Sequence, residues 1–277
     1  MKRILFPTDF SEAATNAFAH ALEFANSIDA ELVLLHAFDL PVFDSQYFPE
    51  NYIMIYESVE LTQFEVFKDE LPKLHGIAQK RNLDGIKMTH RLMDGDLLDT
   101  IERAIKEDQI DYVVMGTQGA KGWAELFLGT HTTAVISDVS IPVLSVPKKA
   151  RFKTVKNIGF TTRFRIKDKE ALKQVVEIAK KMNAKIKCLY VKTSDSDVTK
   201  ETIKEWENEF ANDPVEFSVV FNDEVKESIE DFILFKDINI LTMLTYKRNF
   251  FESLFHNSLT QDCASHLDIP ILSIPIK

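Results

Sequence analysis

Residues 4–11 read ILFPTDFS and residues 158–165 read IGFTTRFR, and this pair decides how the chain divides. The same displacement of 154 positions carries HALEFANSIDAELVLLHAF (20–38) onto QVVEIAKKMNAKIKCLYVK (174–192). The closing runs also match, IPVLSVP at 141–147 and IPILSIP at 269–275, now with a displacement of 128, so the second copy is 26 residues shorter. Self-similarity on this scale marks two copies of one domain. The shortening falls after the second strand of the copy, much of it against PVFDSQYFPENYIMIYES (41–58), an aromatic-rich segment of the kind that serves as a lid or an interface element.

Within each copy, short β-branched and apolar runs alternate with longer helical periodicities, the signature of βαβ units around a parallel sheet. In the first copy the pattern predicts strands near 2–7, 31–37, 86–92, 111–115 and 142–146, with helices near 11–27, 55–82, 96–108 and 130–139. Ser11 followed by Glu12 and an amphipathic run predicts a helix start, and Pro72 is expected to break or kink the second helix because proline lacks a backbone donor. The pattern repeats from about 154, and the charged connector KKARFK (148–153) separates the copies. The expected fold is therefore α/β, with two tandem open parallel-sheet, Rossmann-like domains at 1–149 and 150–277.

Composition narrows the function classes. The chain of 277 residues, 45% hydrophobic and 27% charged, suits two ordinary globular domains and carries no apolar run near the roughly 18 residues of a membrane span. Its opening MKRILFPTDF meets Pro7 and Asp9 too soon for a secretory signal, so a cytoplasmic protein with no membrane partner is expected. Cys188 and Cys263 cannot make a disulfide framework, and His266 near Cys263 lacks a second ligand pair, so no metal site is expected. Residues 1–150 hold 13 Lys and Arg against 23 Asp and Glu, while the remainder holds 20 of each. A chain that gripped DNA or RNA by its phosphates would show a basic face, which disfavours nucleic acid as a partner.

After the fourth strand, DYVVM, the chain reads GTQGAKGWAELFLGT from Gly116 to Thr130, a G-x2-G-x9-G-[ST] spacing carried by Gly116, Gly119, Gly129 and Thr130. A strand that ends in glycines and leads to a helix headed by a hydroxyl presents backbone N–H groups and the positive end of a helix dipole to an anion. Thr130 and Thr132 can add hydroxyl donors. The loop is neither a Walker A sequence nor the dinucleotide G-x-G-x-x-G. Ligands of open parallel sheets bind beyond the carboxyl ends of the strands, and the first strand delivers Pro7, Thr8 and Asp9 to that edge. Asp9 can accept hydrogen bonds from a ribose or base there; its alternative role is the N-cap of the helix that begins near Ser11.

These residues resemble the universal stress protein family over nearly the whole chain, as two tandem domains of the adenine-nucleotide α-hydrolase-like fold. The resemblance rests on FPTDFS, on ELVLLHAF (31–38), on Gly95 after the third strand, and on MGTQG from Met115 through LGT to IPVLSVP. It implies that Gly116, Gly119, Gly129 and Thr130 wrap the phosphates of ATP, while Asp9 and Ala37 lie against ribose and adenine. The site so expected comprises Pro7, Thr8, Asp9, Ala37, Met115, Gly116, Gly119, Gly129, Thr130, His131 and Thr132, holding ATP with or without Mg2+. It also implies that the two copies pack through their closing strands as an intramolecular pseudo-dimer, with a homodimer of whole chains as a further assembly.

The second copy departs from that pattern. By the repeat, Gly116 becomes Leu244, Gly119 becomes Lys247, Gly129 becomes Asn257, Thr130 becomes Ser258 and Asp9 becomes Arg163. Only the hydroxyl survives, so ATP is expected in the first copy alone. Catalytic candidates are thin: Lys121 could reach a terminal phosphate and His131 could act as acid, base or transient phosphoryl acceptor, but a loop lysine is more often a solvated charge and a histidine at a helix start more often a polar residue of that start. His36 reads as a packed or capping residue. The leading expectation is an ATP-binding regulatory protein, against a slow ATPase or autophosphorylating enzyme and a non-nucleotide dimerisation scaffold. Arg163, Arg165 and Lys167 after one strand, with Lys247 and Arg248 after another, form either a solvated basic rim or a separate anion site.

Overall fold

In the computed structural model, residues 1–39, 49–117, 130–245 and 268–276 are described. The first strand, β1 (Lys2–Pro7), turns Ile4, Leu5 and Phe6 into a fully buried run. Consecutive rather than alternating apolar residues are what a strand covered on both faces requires. Helix α1 (Glu12–Ile28) follows, capped by Ser11, whose Oγ accepts the Ala14 N–H at 3.2 Å. Its buried face is Ala13, Ala14, Ala17, Phe18, Ala21, Leu22, Ala25 and Ile28, a stripe at helical spacing built mainly from alanine. The helix stops at Asp29, which takes the left-handed conformation at φ 55°.

Strand β2 (Ala30–Phe38) then pairs parallel with β1, from Lys2 opposite Ala30 to Pro7 opposite Leu35. Helix α2 (Pro49–Lys80) leads to β3 (Met88–Asp94), helix α3 (Leu97–Asp108) to β4 (Tyr112–Thr117), and α4 (Thr130–Asp138) to β5 (Val143–Pro147). The second half repeats the series with β6 (Asn157–Thr161), α5 (Ile166–Met182), β7 (Lys185–Lys192), α6 (Lys200–Glu209), β8 (Val215–Phe221), α7 (Val225–Phe235), β9 (Ile240–Thr245) and β10 (Ile271–Pro275). The displacements read from sequence hold at the level of strands: 128 positions take β4 onto β9 and β5 onto β10, end for end.

Contacts divide the chain into two units, Met1–Met115 and Gly116–Lys277, the division falling inside β4. In the first, the strand order is β3-β2-β1-β4, and every pair is parallel. In the second, the order is β5-β10-β9-β6-β7-β8, parallel except for β5 against β10. That pair places Ile271 opposite Ser145 and Ser273 opposite Val143. The architecture is an α/β fold with a mostly parallel open sheet, as the alternation of periods predicts.

Two details differ from the sequence reading. Helix α2 starts at Pro49, six residues earlier than expected, with a proline at the first helical position where its missing N–H costs nothing. It also runs on through Pro72 to Lys80, near the expected end, so the proline does not break it. One lost backbone bond costs on the order of 3 kcal/mol. Phe67, Leu74 and Ala78, all buried, fasten the helix on both sides of the proline. The counterpart α6 has 10 residues against the 32 of α2, which locates the shortening of the second copy. Cys188 is a buried free thiol whose pKa burial pushes up, consistent with an inert core residue; Cys263 lies outside the described residues.

Candidate functional site

The turn between β1 and α1 is built by three side chains. Thr8 N–H extends the β1 ladder to the Leu35 carbonyl at 2.8 Å, and Thr8 Oγ1 accepts the Phe10 N–H at 3.0 Å. Phe10 sits in the left-handed region at φ 59°, a conformation that costs a bulky residue roughly 1–2 kcal/mol and persists where its surroundings hold it. What holds it here is the side chain, whose ring lies 5.0 Å from His36 and 5.8 Å from Phe67, centroid to centroid. Asp9 Oδ1 accepts the Ser11 N–H at 3.0 Å.

Asp9 therefore is not the N-cap; Ser11 is. The acid instead closes an Asx turn one step ahead of the helix. It remains exposed at the end of β1, and Oδ2 takes no bond among the described residues. Pro7 and Thr8 beside it are buried. His36 Nδ1 lies 2.8 Å from the Thr8 carbonyl, which can only accept, so Nδ1 carries the proton. Nε2 faces Gln63 Oε1 at 3.2 Å, and the ring stacks on Phe67 at 6.1 Å with an interplanar angle of 19°. His36 is thus a packed residue that braces the turn, as expected.

Along β2 every residue is buried except Ala37, the position the resemblance assigns to the nucleotide. Its small side chain leaves a half-open spot between buried His36 and Phe38. Gly95 follows β3 at φ 121°, a conformation that an L side chain rarely adopts, and its N–H reaches the Phe38 carbonyl at 3.0 Å. Asp96 then caps α3 by accepting the Leu98 N–H at 2.8 Å. The end of β4 brings buried Met115 and half-buried Gly116, and Thr117 Oγ1 reaches toward the Val146 carbonyl at 3.5 Å.

Gly119 and Gly129 lie outside the described residues, as does Lys121. Thr130 and His131 open helix α4, and Thr132 in its first turn is buried. Of the expected residues, the first unit thus gathers Pro7, Thr8, Asp9 and Ala37 at the carboxyl ends of neighbouring strands β1 and β2, with Met115 at the end of β4 on the other side of β1. An exposed carboxylate, a small strand residue and a glycine at a strand end are groups that can accept from hydroxyls, face a flat ring and admit a phosphate.

In the second copy the corresponding turn has the same shape with different chemistry. Thr162 Oγ1 accepts the Phe164 N–H at 2.8 Å, and Phe164 is left-handed at φ 55°. The acid has moved. Asp168, fully buried in the first turn of α5 where the first copy has Ala14, accepts from Thr162 Oγ1 at 2.9 Å, from Arg163 N–H at 2.7 Å and from Arg165 N–H at 3.3 Å, all through Oδ2. Sequence reading passed over Asp168, although an acid three residues after a helix start is a capping-box signal. Arg165 forms a two-pronged pair with Asp197 at 3.2 Å for each bond. Lys247 and Arg248 lie outside the described residues.

The model of the universal stress protein family matches residues 1–147. A universal stress protein of Methanocaldococcus jannaschii is 28% identical over 147 residues, covering 53% of this chain and 82% of the relative. One from Thermus aquaticus is 30% identical over 145 residues, covering 52% and 98%. The crystal structure of a universal stress protein from Archaeoglobus fulgidus aligns with 99% of this chain and 98% of its own at a TM-score of 0.75, with 17% identity, a likeness of fold. No helix among the described residues is long and apolar enough to cross a membrane. With its strand order, the left-handed turn after β1, Gly95 and a family match over more than half its length, the chain belongs to the universal stress protein family.

Proposed function

We propose that this chain is a cytoplasmic ATP-binding regulatory protein in stress responses, holding one nucleotide in its first copy, residues 1–149, and none in the second, residues 150–277. The observation that carries this reading is the edge formed by β1 and β2. Asp9 there is exposed with one carboxylate oxygen spent on its own turn, and Ala37 is the single half-open position of an otherwise buried strand. A ribose hydroxyl can donate to the remaining oxygen, and an adenine ring needs a small residue to lie against. Gly116, Gly119, Gly129 and Thr130 then serve the phosphates through backbone N–H groups, with Met115, His131 and Thr132 alongside and Mg2+ accompanying the phosphates.

In the second copy Leu244 is buried at the position of Gly116, and Arg163 replaces Asp9, so phosphate loses bare backbone and the turn carries a cation in place of the exposed carboxylate. Equilibrium dialysis of the full chain is expected to return one ATP, abolished by Gly119→Ala or Gly116→Val. Two ATP per chain, or none, would overturn the reading. With γ-labelled ATP, intact nucleotide should remain bound, without label on the protein or free phosphate above background.

A further inference from the structure

The second unit contains a cavity of about 620 Å³ at the carboxyl ends of β6, β7 and β9. Its wall includes Thr161, Thr162, Arg163, Val191, Met243 and Leu244. Through the two repeat displacements these are the counterparts of Pro7, Thr8, Asp9, Ala37, Met115 and Gly116. The second copy has therefore kept a cavity at the repeat's binding edge while exchanging the residues that line it.

We infer that this cavity is a binding site for a nucleoside-sized, uncharged ligand: a flat apolar ring bearing hydroxyl groups and no phosphate. The identification as nucleoside-like rests, through the repeat, on the adenine-nucleotide reading of the first copy. The inner wall is apolar, with Leu189, Ile229, Met243 and Leu244 around the space and Val191 where the first copy has Ala37. Flat apolar rings fill such walls. Hydroxyl partners come from Thr161, Thr193 and Ser196. Asp168 also lines the cavity, fully buried, with Oδ2 carrying three bonds and Oδ1 carrying none. A buried carboxylate oxygen without a partner calls for a donor.

Phosphate is refused on two counts. Leu244 puts a side chain where the first copy offers bare glycine, and the lining brings three carboxylates, Asp168, Asp195 and Asp197, against two guanidinium groups. One of those, Arg165, is already engaged in its pair with Asp197. That pair also ties the β6–α5 turn to the loop after β7. The loop is ordered in turn by the Thr193 N–H on Ser196 Oγ at 2.8 Å and by the Ser194 N–H on Asp223 Oδ1 at 2.7 Å. The mouth is thus built from bonded segments, and a site made before its ligand arrives loses less entropy on binding.

The test is equilibrium dialysis of the full chain with labelled adenosine and labelled uridine, in the absence and presence of saturating ATP. Expected is one nucleoside per chain for at least one of the two probes, retained under saturating ATP and weakened tenfold or more by Val191→Trp, which fills the cavity. If Val191→Trp does not fold, as judged by its unliganded thermal transition, Val191→Phe makes the same test. Asp168→Asn should weaken binding through the loss of the acceptor. Binding of neither probe overturns the inference. So does binding that ATP displaces, or that Ala37→Trp removes, since either assigns the nucleoside to the first copy. A chain that fails to bind ATP but binds adenosine in a Val191-dependent manner overturns only the reading of the first copy.

Discussion

Phe10 and Phe164, 154 positions apart, both lie in the left-handed region, at φ 59° and 55°, and each gives its N–H to the threonine two residues before it. Each ring also packs on the residue that follows the repeat register on the neighbouring strand, Phe10 on His36 and Phe164 on Tyr190. A strained turn preserved in two copies whose surrounding charges have diverged is a structural device of the fold, separate from whatever ligand the edge holds. Replacing Thr8 by Val removes the acceptor while keeping the shape. We expect a loss of about 1–2 kcal/mol in urea unfolding. An unchanged midpoint would show that the hydroxyl does not hold the turn.

Asp9 separates turn from ligand. Asp9→Asn keeps an oxygen for the Ser11 N–H and should leave the unfolding midpoint within experimental error, whereas Asp9→Ala should lower it. Both should weaken ATP by about tenfold, roughly 1.4 kcal/mol. Calorimetric titration of the two variants checks this, and full affinity in Asp9→Asn would remove the carboxylate from the site.

Gly95→Ala tests conformation without crowding. An added Cβ would meet only Thr100 Cγ2 at 3.7 Å, an ordinary contact, so the cost comes from φ 121°. A destabilisation of about 1–3 kcal/mol is expected. Thermal unfolding that matches the parent would contradict it.

Gly159→Ala makes the opposite comparison. Its φ is unremarkable for a strand, but the new methyl would approach Ile238 Cγ2 at 2.9 Å, Leu241 Cδ1 at 3.0 Å and Phe232 Cε1 at 3.1 Å. Overpacking of this kind costs about 1–3 kcal/mol. Gly159→Ala should cost less when introduced beside Ile238→Ala, which removes Cγ2, than in the parent chain, and an equal cost in both backgrounds would count against a steric origin.

Glu31 supplies a pH signature. The buried carboxylate accepts from Lys87 Nζ at 2.7 Å and from Arg3 Nε, and these partners, Lys87 foremost, hold its pKa below the ordinary value against the opposing effect of burial. A lowered native pKa means that the unfolded chain binds the proton more readily. The stabilisation is therefore complete above the unfolded carboxylate pKa and is lost as pH falls through the lower native value. Glu31→Gln should cost about 1–3 kcal/mol at neutral pH, and the gap to the parent should narrow in acid. A gap independent of pH would show that the ion pairs do not supply the stability.

Much of this was legible in sequence because two signals are redundant. The repeat gives each strand twice, and buried parallel strands announce themselves as unbroken apolar runs such as ILF at 4–6 and LVLL at 32–35. Features decided by tertiary packing were not legible. Pro72 reads as a break or a kink until Phe67, Leu74 and Ala78 are seen to hold the helix past it. The alternative role of Asp9 as a cap stays open until Ser11 is seen to take that place. Asp168 stood at an alanine's position in the other copy, so the alignment that exposed Arg163 as a loss gave no hint that an acid had entered from the helix side.

The pairing of β5 with β10 has a practical consequence. Val143–Pro147 belongs to the first copy by sequence, yet its neighbour through Ile271, Leu272 and Ser273 is the last strand of the second. Cutting the gene at residue 149 would strip that neighbour away and leave an apolar strand with unpaired backbone N–H and C=O groups open to another chain. A separately expressed first half is therefore expected to associate with itself through this edge, so that ligand stoichiometries measured on the fragment would describe that association rather than the intact chain.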